Sequence, residues 1–429
     1  MSLASVSRME AKLLLPTYER QPILFVRGRG VYLWDSRGKR YLDFLSGIGV
    51  NALDHNHPAI QAAIKRQASR LIHVSNLFFH EYQAELARLL TQISGLDRAF
   101  FCNSGTEAWE GALKLARAFA QMNNKNGSKP NPKTRILAME NSFHGRTFGA
   151  LATTGQPKYR APFVPLLPGV AFVKFNDLDD LQRKFDSSVC AVCIETIQGE
   201  GGVCPVNREF LELASRLTKR TGALLVLDEI QCGLGRTGRH FAYQHYGVLP
   251  DVVTVAKPLA CGLPLGAILT TERVASCMHP GMHGTTFGGG PLACAVAIEF
   301  LRAERQLLKH VRALGEYFHA ALEALKKDKK HQSIQEVRGA GLMQAVEVDS
   351  PELAKAVARQ LLQEGIIINR THETVLRFLP PYVIQKKHVD RVVKALDAAL
   401  HKNAEFPQKR THKKKKTVPP RRKEVDAHA

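Results

Sequence analysis

The feature that most constrains the fold is an alternation of short apolar segments with longer helical segments through the middle of the chain. Helical segments such as residues 107–121 and 208–221 fall between the apolar ones. Short, fully apolar strands separated by helices are typical of a parallel sheet covered on both faces. The pattern predicts an α/β fold with a mostly parallel central sheet, whose strands we expect at residues 99–102, 135–139, 189–194, 223–227 and 252–256.

The two ends of the chain follow a different pattern. Near the N-terminus, a turn joins short strands at residues 31–34 and 41–44. Near the C-terminus, a helix at 291–305, another from about 307, strands and a last helix at 388–400 predict a smaller α+β domain. We expect an N-terminal segment of the small domain at residues 1–65, a large domain at 66–305, a C-terminal small domain at 306–400 and a basic tail at 401–429.

Much of the positive charge lies at the C-terminus. The formal net charge is +21, and residues 401–429 hold ten Lys or Arg and three acidic residues, a net charge of +7. A segment with so few apolar residues cannot offset its ordering entropy, so we expect a disordered, solubilising tail. Contact with nucleic acid is the alternative, but no aromatic residues interleave the charges as single-strand binding requires. We therefore expect no nucleic-acid partner.

Targeting and cysteine signals are both weak. The first 21 residues carry charged side chains around one short leucine run, unlike a signal peptide, and no apolar run reaches the length of a membrane span. We expect a cytoplasmic protein with no membrane contact.

Eight cysteines in a chain of this length do not indicate a disulfide framework, and the C-x-x-C of Cys190 and Cys193 has no second pair. We expect reduced core cysteines and no metal site.

Polar residues directly follow four of the predicted strands. They are Asn103 with Ser104, then Glu195, Asp228 and Lys257. Ligands of open parallel sheets bind beyond the carboxyl ends of the strands. One such residue could mark a strand that simply reaches solvent, but four together indicate a crevice at that edge.

The first of these strands leads into a helix through Ser104, Gly105, Thr106 and Glu107. Ser104 and Glu107 have the spacing of a capping box, and a simple helix cap is one interpretation. The other is an anion site, because the free N–H groups and the helix dipole attract a phosphate. Gly105 would let the phosphate approach the backbone. No nucleotide-binding glycine motif is present, which disfavours a nucleotide.

Asp228 and Lys257 form the most specific pair. A carboxylate inside the protein needs a cationic partner, and the N–H of a pyridinium ring would serve. A ring kept protonated in this way withdraws electrons from a carbanion. A lysine enclosed by apolar neighbours loses proton affinity and can form a Schiff base with an aldehyde cofactor. An ordinary internal ion pair between the two side chains is the alternative.

Several ordered motifs connect the chain to a known family. They are F-L-S-G-I at 44–48, F-C-N-S-G-T-E at 101–107, S-F-H-G-R-T at 142–147, Q-G-E-G-G-V at 198–203, D-E-I-Q at 228–231, A-K at 256–257 and H-G-T-T-F-G-G at 283–289. With these motifs the chain resembles the class III pyridoxal-phosphate aminotransferases from about residue 22 to residue 400. The resemblance implies the fold type I architecture, a pyridoxal 5'-phosphate cofactor and a homodimer with shared active sites.

The resemblance also implies roles for the cofactor-binding residues. Lys257 would bind the cofactor covalently and Asp228 would partner its ring nitrogen, which makes them the two expected catalytic residues. Thr286 would contact the phosphate in the partner subunit's site. Gly105 and Thr106 would surround the phosphate. Phe143 and Ile230 would pack on the two faces of the cofactor ring, and Gln231 would lie near the ring hydroxyl.

Substrate recognition would depend on two arginines. The resemblance implies that Arg146 binds the α-carboxylate of the amino donor and that Arg377 binds that of 2-oxoglutarate, through paired hydrogen bonds from a planar guanidinium. Glu200 would pair with Arg377 when a neutral chain binds there instead, and Thr285 completes the expected substrate-binding set. A surface charge is the alternative for each arginine, but the neighbours of Arg377 are apolar.

The expected reaction moves the terminal amino group of N-acetylornithine, or a similar ω-amine, to 2-oxoglutarate and gives an aldehyde and glutamate, within arginine biosynthesis. Ornithine, succinylornithine, succinyl-diaminopimelate and a carrier-bound lysine remain open as donors. An aminomutase is the rival within the fold, but it needs no external oxo acid, so Arg377 and Glu200 count against it. An inactive scaffold that only binds ligands is the other rival, and the intact Asp228, Lys257 and Thr286 count against that.

The chain departs from the family pattern at several positions. Trp109 stands where asparagine is usual, Ala260 and Cys261 replace a glycine pair, and Gly290 replaces asparagine. None of these departures removes a catalytic group. The last three lie close in sequence to the cofactor residues, so we expect them to bear on substrate choice.

Overall fold

The structure is a computed structural model, and it describes residues 1–122 and 133–403. Its strands form three larger sheets and one small two-stranded sheet. Within the described ranges the strands are β1 (Phe25–Arg29), β2 (Tyr32–Asp35), β3 (Arg40–Asp43), β4 (Arg98–Cys102), β5 (Arg135–Met139), β6 (Val170–Val173), β7 (Val189–Glu195), β8 (Ile197–Gln198), β9 (Cys204–Pro205), β10 (Leu224–Asp228), β11 (Val252–Val255), β12 (Gly266–Thr270), β13 (Ile334–Ala340), β14 (Met343–Val348), β15 (Ile366–Ile367), β16 (Asn369–Thr371) and β17 (Val375–Phe378).

The helices range from single turns to one of 37 residues. Short 3-10 turns also occur, and the turn Lys257–Ala260 is the one that belongs to the site. In the same described ranges the helices are α1 (Leu3–Leu13), α2 (Ser46–Gly49), α3 (Pro58–Ala68), α4 (Glu81–Ser94), α5 (Gly105–Met122), α6 (Phe148–Thr153), α7 (Pro157–Arg160), α8 (Leu178–Lys184), α9 (Arg208–Thr221), α10 (Glu272–Ala275), α11 (Pro291–Lys327), α12 (Pro351–Gln363) and α13 (Lys386–Asn403).

The central sheet has seven strands in the order β4-β12-β11-β10-β7-β5-β6. All pairs from β11 to β6 are parallel, which confirms the prediction of a mostly parallel α/β sheet. Strand β12 is antiparallel to both β11 and β4, and it was not predicted. Only a turn and a loop separate it from β11, so the alternation of strand and helix does not reveal it.

Both faces of the central sheet are buried. On β7, Val192 and Ile194 belong to the larger apolar cluster, whereas Ala191 and Cys193 belong to a second cluster that includes the buried face of α5. Successive side chains of a strand point to opposite faces, so a strand covered on both sides has to be apolar throughout. All seven residues of β7 are buried, and this packing fixes the strand ends where the site lies.

Two four-stranded sheets lie outside the central sheet. Strand β15 pairs in parallel with β3, so N-terminal and C-terminal strands share the sheet β1-β2-β3-β15. The sheet β13-β14-β17-β16 is antiparallel and carries Arg377 on β17. The division into residues 1–65, 66–305 and 306–400 stays a prediction, and its second boundary falls inside α11.

Helix α11 corrects one expectation. The separate helices expected at residues 291–305 and from about 307 are one continuous helix, so that prediction is wrong. No glycine or proline occurs between residues 292 and 314, and nothing in the sequence therefore ends the helix there. Near the expected break, buried Glu304 accepts a hydrogen bond from His240 Nδ1 at 2.9 Å, which ties α11 to the loop after β10.

In the described part of the chain, none of the helices is long and apolar enough to cross a membrane. The cytoplasmic location stays a prediction. The eight cysteines are free thiols. Across residues 1–122 and 133–403, no group of three or more His, Cys, Asp or Glu side chains could hold a metal ion. The basic tail beyond residue 403 lies outside the described residues. Its disorder therefore stays a prediction.

Candidate active site

A cavity of about 420 Å³ opens at the carboxyl edge of the central sheet. Residues that follow β4, β10 and β11, together with the last residue of β7, line it. The expected site residues in its wall are Gly105, Thr106, Phe143, Arg146, Asp228, Ile230, Gln231 and Lys257. The expected residues outside its wall are Glu200, Thr285, Thr286 and Arg377.

Lys257 follows β11 and begins the turn Lys257–Ala260 with a φ of 35°. A non-glycine residue with positive φ is uncommon, and the surrounding structure has to hold it there. Burial lowers the pKa of the lysine amine, and the carboxylates of Asp228 and Glu200 offset only part of that effect. An amine that is neutral at lower pH is more readily available as a nucleophile.

Asp228 ends β10, and hydrogen bonds fix its buried carboxylate. Its Oδ1 accepts from the backbone N–H of Ile230 at 3.0 Å and from Thr254 Oγ1 at 3.4 Å. Its Oδ2 lies 2.7 Å from Nδ1 of His144. The carboxylate is therefore held in one orientation at the cavity wall, where it can accept a further hydrogen bond from a ligand.

His144 is a site residue that the sequence analysis did not identify. Its side chain is fully buried behind Asp228, and its ring stacks on the indole of Trp109 with centroids 3.8 Å apart and an interplanar angle of 6°. The signal that could have found it is its place between Phe143 and Arg146 in one motif. Its partner Asp228 is 84 residues away in sequence, so only the fold brings the two together.

The N-terminus of α5 faces the cavity with Gly105 and Thr106. The backbone N–H of Glu107 donates to Ser104 Oγ at 3.3 Å, which is the first half of the capping box. The second half differs, because Glu107 Oε2 accepts from the backbone N–H of Asn103 at 2.8 Å and from its side chain at 2.9 Å. The first turn of the helix is thus fixed while its N-terminus stays open to an anion.

Gly105 is required by the packing of Ile230. A Cβ at residue 105 would lie 2.8 Å from Cδ1 of Ile230, which is closer than carbon atoms approach. Any larger residue would force Ile230 to shift. The glycine therefore determines the position of the aliphatic wall of the site as well as access to the helix N-terminus.

Phe143 faces the cavity from the segment after β5, and Glu195 holds its backbone. Glu195 Oε2 accepts from the N–H of Phe143 at 3.0 Å, and Oε1 accepts from the N–H of Gly199 at 3.2 Å. Burial, followed by the charge of Asp228, raises the pKa of Glu195 well above its ordinary value. Glu195 therefore supports the cavity wall through the backbone N–H groups of Phe143 and Gly199.

Arg377 is fully buried on β17 behind the cavity. Its Nη1 donates to Glu200 Oε1 at 2.6 Å and to Gln231 Oε1 at 2.9 Å, and its Nε donates to Asn369 Oδ1 at 3.0 Å. Burial raises the pKa of Glu200, but the nearby charges of Arg377 and Lys257 outweigh it, so the net shift is downward. The carboxylate of Glu200 thus neutralises the arginine. Its backbone carbonyl and carboxylate also accept from Thr371 Oγ1.

Arg146 lies at the exposed mouth of the cavity. Its guanidinium carbon is 3.9 Å from the ring centroid of Tyr159 and 5.4 Å from that of Phe143. Stacking on aromatic rings holds the guanidinium in place while leaving its N–H groups free to bind a carboxylate.

Thr285 and Thr286 lie on a loop before α11. Thr285 Oγ1 accepts a hydrogen bond from Asn103 Nδ2 at 3.2 Å, and its carbonyl accepts from Asn76 Nδ2 at 3.2 Å. Thr286 is exposed and points to no cavity wall of its own chain within the described residues. The structure therefore does not bring Thr286 together with Gly105 and Thr106.

The residues of the cavity fit pyridoxal 5'-phosphate. The site holds an amine with a lowered pKa, a buried carboxylate for a ring nitrogen, and a helix N-terminus for a phosphate. Within the described residues, Nη2 of Arg377 has no hydrogen-bond partner. A buried guanidinium with a free donor needs an acceptor, and a substrate carboxylate would supply one.

The comparisons with known proteins agree with this geometry. The family model described as "Aminotransferase class-III" matches residues 15–400. An acetylornithine aminotransferase from Caldanaerobacter subterraneus is 46% identical over 91% of this chain and 98% of its own length. One from Aquifex aeolicus is 45% identical over 90% of this chain and 99% of its own length.

Solved structures show the same fold. The ornithine aminotransferase from Toxoplasma gondii ME49 has a TM-score of 0.88 and 33% identity, and the match covers 93% of this chain and 95% of that one. The acetylornithine aminotransferase from Elizabethkingia anophelis has a TM-score of 0.80 and 31% identity, covering 94% of this chain and all of the other.

Proposed function

We propose that this chain, which belongs to the class III aminotransferases, transfers the terminal amino group of N-acetylornithine to 2-oxoglutarate and gives an aldehyde and glutamate. Relatives named acetylornithine aminotransferase match over about nine-tenths of the chain at 42–46% identity. The observation that carries the proposal is the joint placement of the Lys257 amine and the Asp228 carboxylate in one cavity, in front of the Glu200–Arg377 pair.

Pyridoxal 5'-phosphate, when bound, supplies an aldehyde and an electron-withdrawing ring. Asp228 would accept the N–H of that ring through its fixed carboxylate. Lys257 Nζ would take the proton from the reacting carbon of the donor and return it at the neighbouring position, a task that suits an amine with a lowered pKa. Phe143 and Ile230 would pack on the ring from the cavity wall.

Two arginines would recognise the two substrates, each by binding a carboxylate. Arg146 at the mouth would bind the α-carboxylate of the donor. Arg377 would bind a carboxylate of 2-oxoglutarate after Glu200 turns away, and would stay paired with Glu200 while the donor occupies the site. Thr371 Oγ1 donates to the backbone carbonyl of Glu200. This hydrogen bond would hold the backbone of Glu200 in place while its carboxylate rotates.

We further propose a homodimer in which Thr286 serves the partner subunit. Thr286 is exposed on its own chain. The loop that carries it packs against the segment around His73, because the ring centroids of His73 and Phe287 lie 5.4 Å apart. This region has several exposed apolar side chains. Such surfaces mark protein contacts. The exposed apolar residues of this region are Ile72, Leu77, Phe78, Phe79 and Phe287.

A donor panel tests the reaction. N-acetylornithine, ornithine, succinylornithine, succinyl-diaminopimelate and lysine are each assayed with 2-oxoglutarate for glutamate formation. N-acetylornithine should give the highest kcat/KM, and Lys257→Ala should abolish turnover. A higher value for another donor would correct the substrate, and absence of glutamate with all donors would contradict the reaction. Conversion of an amino aldehyde without any oxo acid would favour an aminomutase.

Subunit mixing tests the shared site. A Lys257→Ala subunit and a Thr286→Ala subunit are co-expressed with different tags and the mixed dimer is purified. If Thr286 serves the partner's site, one of the two sites contains only native residues, and about half of the wild-type activity should return. A matched control joins the double variant with a wild-type subunit, which leaves each site with one defect. Equal activities in the two mixed dimers would contradict the shared arrangement.

A further inference from the structure

Glu110 lies in the second turn of α5, and its carboxylate accepts hydrogen bonds from the segment that follows Arg146. Its Oε1 accepts from Thr147 Oγ1 at 2.5 Å and from the backbone N–H groups of Gly149 at 2.8 Å and Ala150 at 3.1 Å. The two N–H groups belong to the first turn of α6, and the side chain of the N-cap residue Thr147 does not bond to them. Glu110 therefore caps α6 from another helix.

Two glycines allow the segment around Arg146 to approach α5 this closely. A Cβ at residue 149 would lie less than 3.0 Å from the carboxylate of Glu110, and a Cβ at residue 145 would lie less than 3.0 Å from Oγ1 of Thr106. Real Cβ atoms essentially never come so close to other heavy atoms. The backbone on both sides of Arg146 is therefore packed directly against α5.

The hydroxyl groups between α5 and this segment form a chain of hydrogen bonds with one direction. An ionised carboxylate only accepts hydrogen bonds, so Thr147 donates its single hydroxyl proton to Glu110. Thr147 Oγ1 is then an acceptor for Thr106 Oγ1, which lies 2.9 Å away. Since Thr106 belongs to the helix N-terminus that faces the cavity, the chain of hydrogen bonds ties the segment to that N-terminus.

Arg146 lies between these attachments, and its own side chain is exposed. Stacking on the ring of Tyr159, 3.9 Å from the guanidinium carbon, limits the tilt of the guanidinium. It does not determine how far the backbone of Arg146 lies from the N-terminus of α5. The hydrogen bonds to Glu110 and the close packing of the two glycines determine that distance.

We propose that Glu110 is a positioning residue for recognition of the donor carboxylate, which holds Arg146 at a set distance from the N-terminus of α5. This inference rests on the role of Arg146 in the proposed function. A donor held by its amine at the cofactor and by its carboxylate at the arginine reacts well only if the two anchors have the right spacing. Glu110 is not among the described residues that line the cavity, so it acts through Arg146.

Two amines that differ only in the carboxylate test the inference on the cofactor-bound enzyme. N-acetylornithine has an α-carboxylate for Arg146, and N-acetyl-1,4-diaminobutane is the same molecule without it. Each amine is mixed with the enzyme in the absence of 2-oxoglutarate, so that the second substrate does not contribute. The absorbance change of the bound cofactor gives the maximum rate and the half-saturating concentration, and their ratio is the efficiency compared below.

Three variants change the cap, and a fourth is the matched control. Glu110→Ala removes the acceptor, Thr147→Val removes the hydroxyl, and Glu110→Gln keeps an acceptor oxygen in the same place. The control is Asp180→Ala on α8. Asp180 is also a carboxylate that accepts a backbone N–H, from Lys174 at 2.8 Å, but it lies outside the cavity wall.

Glu110→Ala should lower the efficiency with N-acetylornithine about tenfold, the scale of losing one hydrogen bond to a charged group. The efficiency with N-acetyl-1,4-diaminobutane should change less than about twofold, because that amine does not use Arg146. Thr147→Val should act in the same direction, and Glu110→Gln should restore the preference for N-acetylornithine. Asp180→Ala should leave the ratio between the two amines unchanged.

A double-variant cycle shows whether Glu110 acts through Arg146. Arg146→Ala alone should remove the preference for the amine that has the carboxylate. Adding Glu110→Ala to it should lower the efficiency with N-acetylornithine by less than about twofold more, because the position of an absent arginine no longer matters.

Two results would overturn the inference. One is an equal loss with both amines in Glu110→Ala and in Thr147→Val, which would give the cap a purely structural role. The other is a double variant in which the two single losses multiply. If Glu110→Ala does not fold, Thr147→Val takes its place in both comparisons. An Arg146→Ala variant that keeps the preference for N-acetylornithine would instead refute the role of Arg146 in the proposed function.

Discussion

The position of Lys257 determines when its amine can react. The lysine is held with positive φ at the start of a turn, and its enclosure by the cavity wall outweighs the attraction of two carboxylates. An amine whose charged form is disfavoured by burial loses its proton at lower pH than in water. The neutral amine of Lys257 should therefore predominate at a pH below its ordinary pKa of 10.5.

A kinetic measurement checks this shift. When apoprotein is mixed with pyridoxal 5'-phosphate, the rate of cofactor uptake should rise with pH as Lys257 loses its proton and should level off below pH 10.5. Stopped-flow absorbance follows the reaction, and Lys257→Ala gives the baseline without covalent uptake. A rate that keeps rising up to pH 10.5 would show that burial does not lower the pKa.

The Glu200–Arg377 pair leads to a second prediction at the residue scale. Glu200→Gln removes the charge that neutralises a fully buried guanidinium. The free arginine should then favour dicarboxylates, so kcat/KM for N-acetylornithine should fall about tenfold or more while glutamate becomes a better donor. Steady-state rates with each donor measure the ratio. Glu212→Gln, which removes an exposed partner of Arg208, is the control and should change neither value.

The sequence allowed us to predict the site residues that lie within recognisable motifs. It did not allow us to predict contacts between residues that are far apart along the chain. Asp228 and Lys257 were recognisable because each ends an apolar strand. The contacts of His144 with Asp228, 84 residues away, and of Gln231 with Arg377, 146 residues away, depend on how separate sheets and loops pack. No local pattern of propensity or spacing encodes such distances.

At the scale of elements, the N-terminus of α5 serves both stability and binding. The Oγ of Ser104 accepts from the N–H of Glu107, and the same turn faces the cavity. Ser104→Ala should lower the free energy of unfolding by about 1 kcal/mol and weaken cofactor binding about threefold. Chemical denaturation and equilibrium dialysis measure the two effects.

A second helix cap separates stability from binding. Ser350 caps α12 through the N–H of Leu353, in the C-terminal part of the chain and outside the cavity wall. Ser350→Ala should cost about the same stability, about 1 kcal/mol, without changing cofactor affinity. Equal losses of affinity in the two variants would show that the cap at Ser104 acts only through overall stability.

The elements show the limits of pattern reasoning in another way. The parallel strands β5, β7, β10 and β11 were predicted because their residues are mostly apolar, as burial on both faces demands, whereas the parallel strand β6 was not predicted. Strand β12 escaped because it turns back antiparallel after the loop that follows Lys257, with no helix between. The break expected near residue 306 does not exist, because buried Glu304 is stabilised by His240 and does not mark a surface turn.

At the scale of the whole molecule, the basic C-terminal segment is expected to be dispensable for turnover. The family model ends at residue 400, and α13 ends at Asn403, whose side chain donates to Gln360 Oε1 at 2.8 Å. A chain ending at residue 403 should keep kcat within about twofold of the full chain, because the residues that line the cavity in the described part of the chain all precede α13. Steady-state kinetics of the two purified chains decide the matter, and loss of turnover would contradict the expectation.

The unbroken course of α11 has a mechanical consequence. A helix of 37 residues is about 55 Å long and resists bending, so it behaves as a rod. Its first residue directly follows the loop of Thr285 and Thr286, and its later turns pack against β13 and β14, in the sheet that contains Arg377. One continuous helix thus joins the threonine loop to the sheet that contains Arg377, so a tilt of that sheet would also displace the loop.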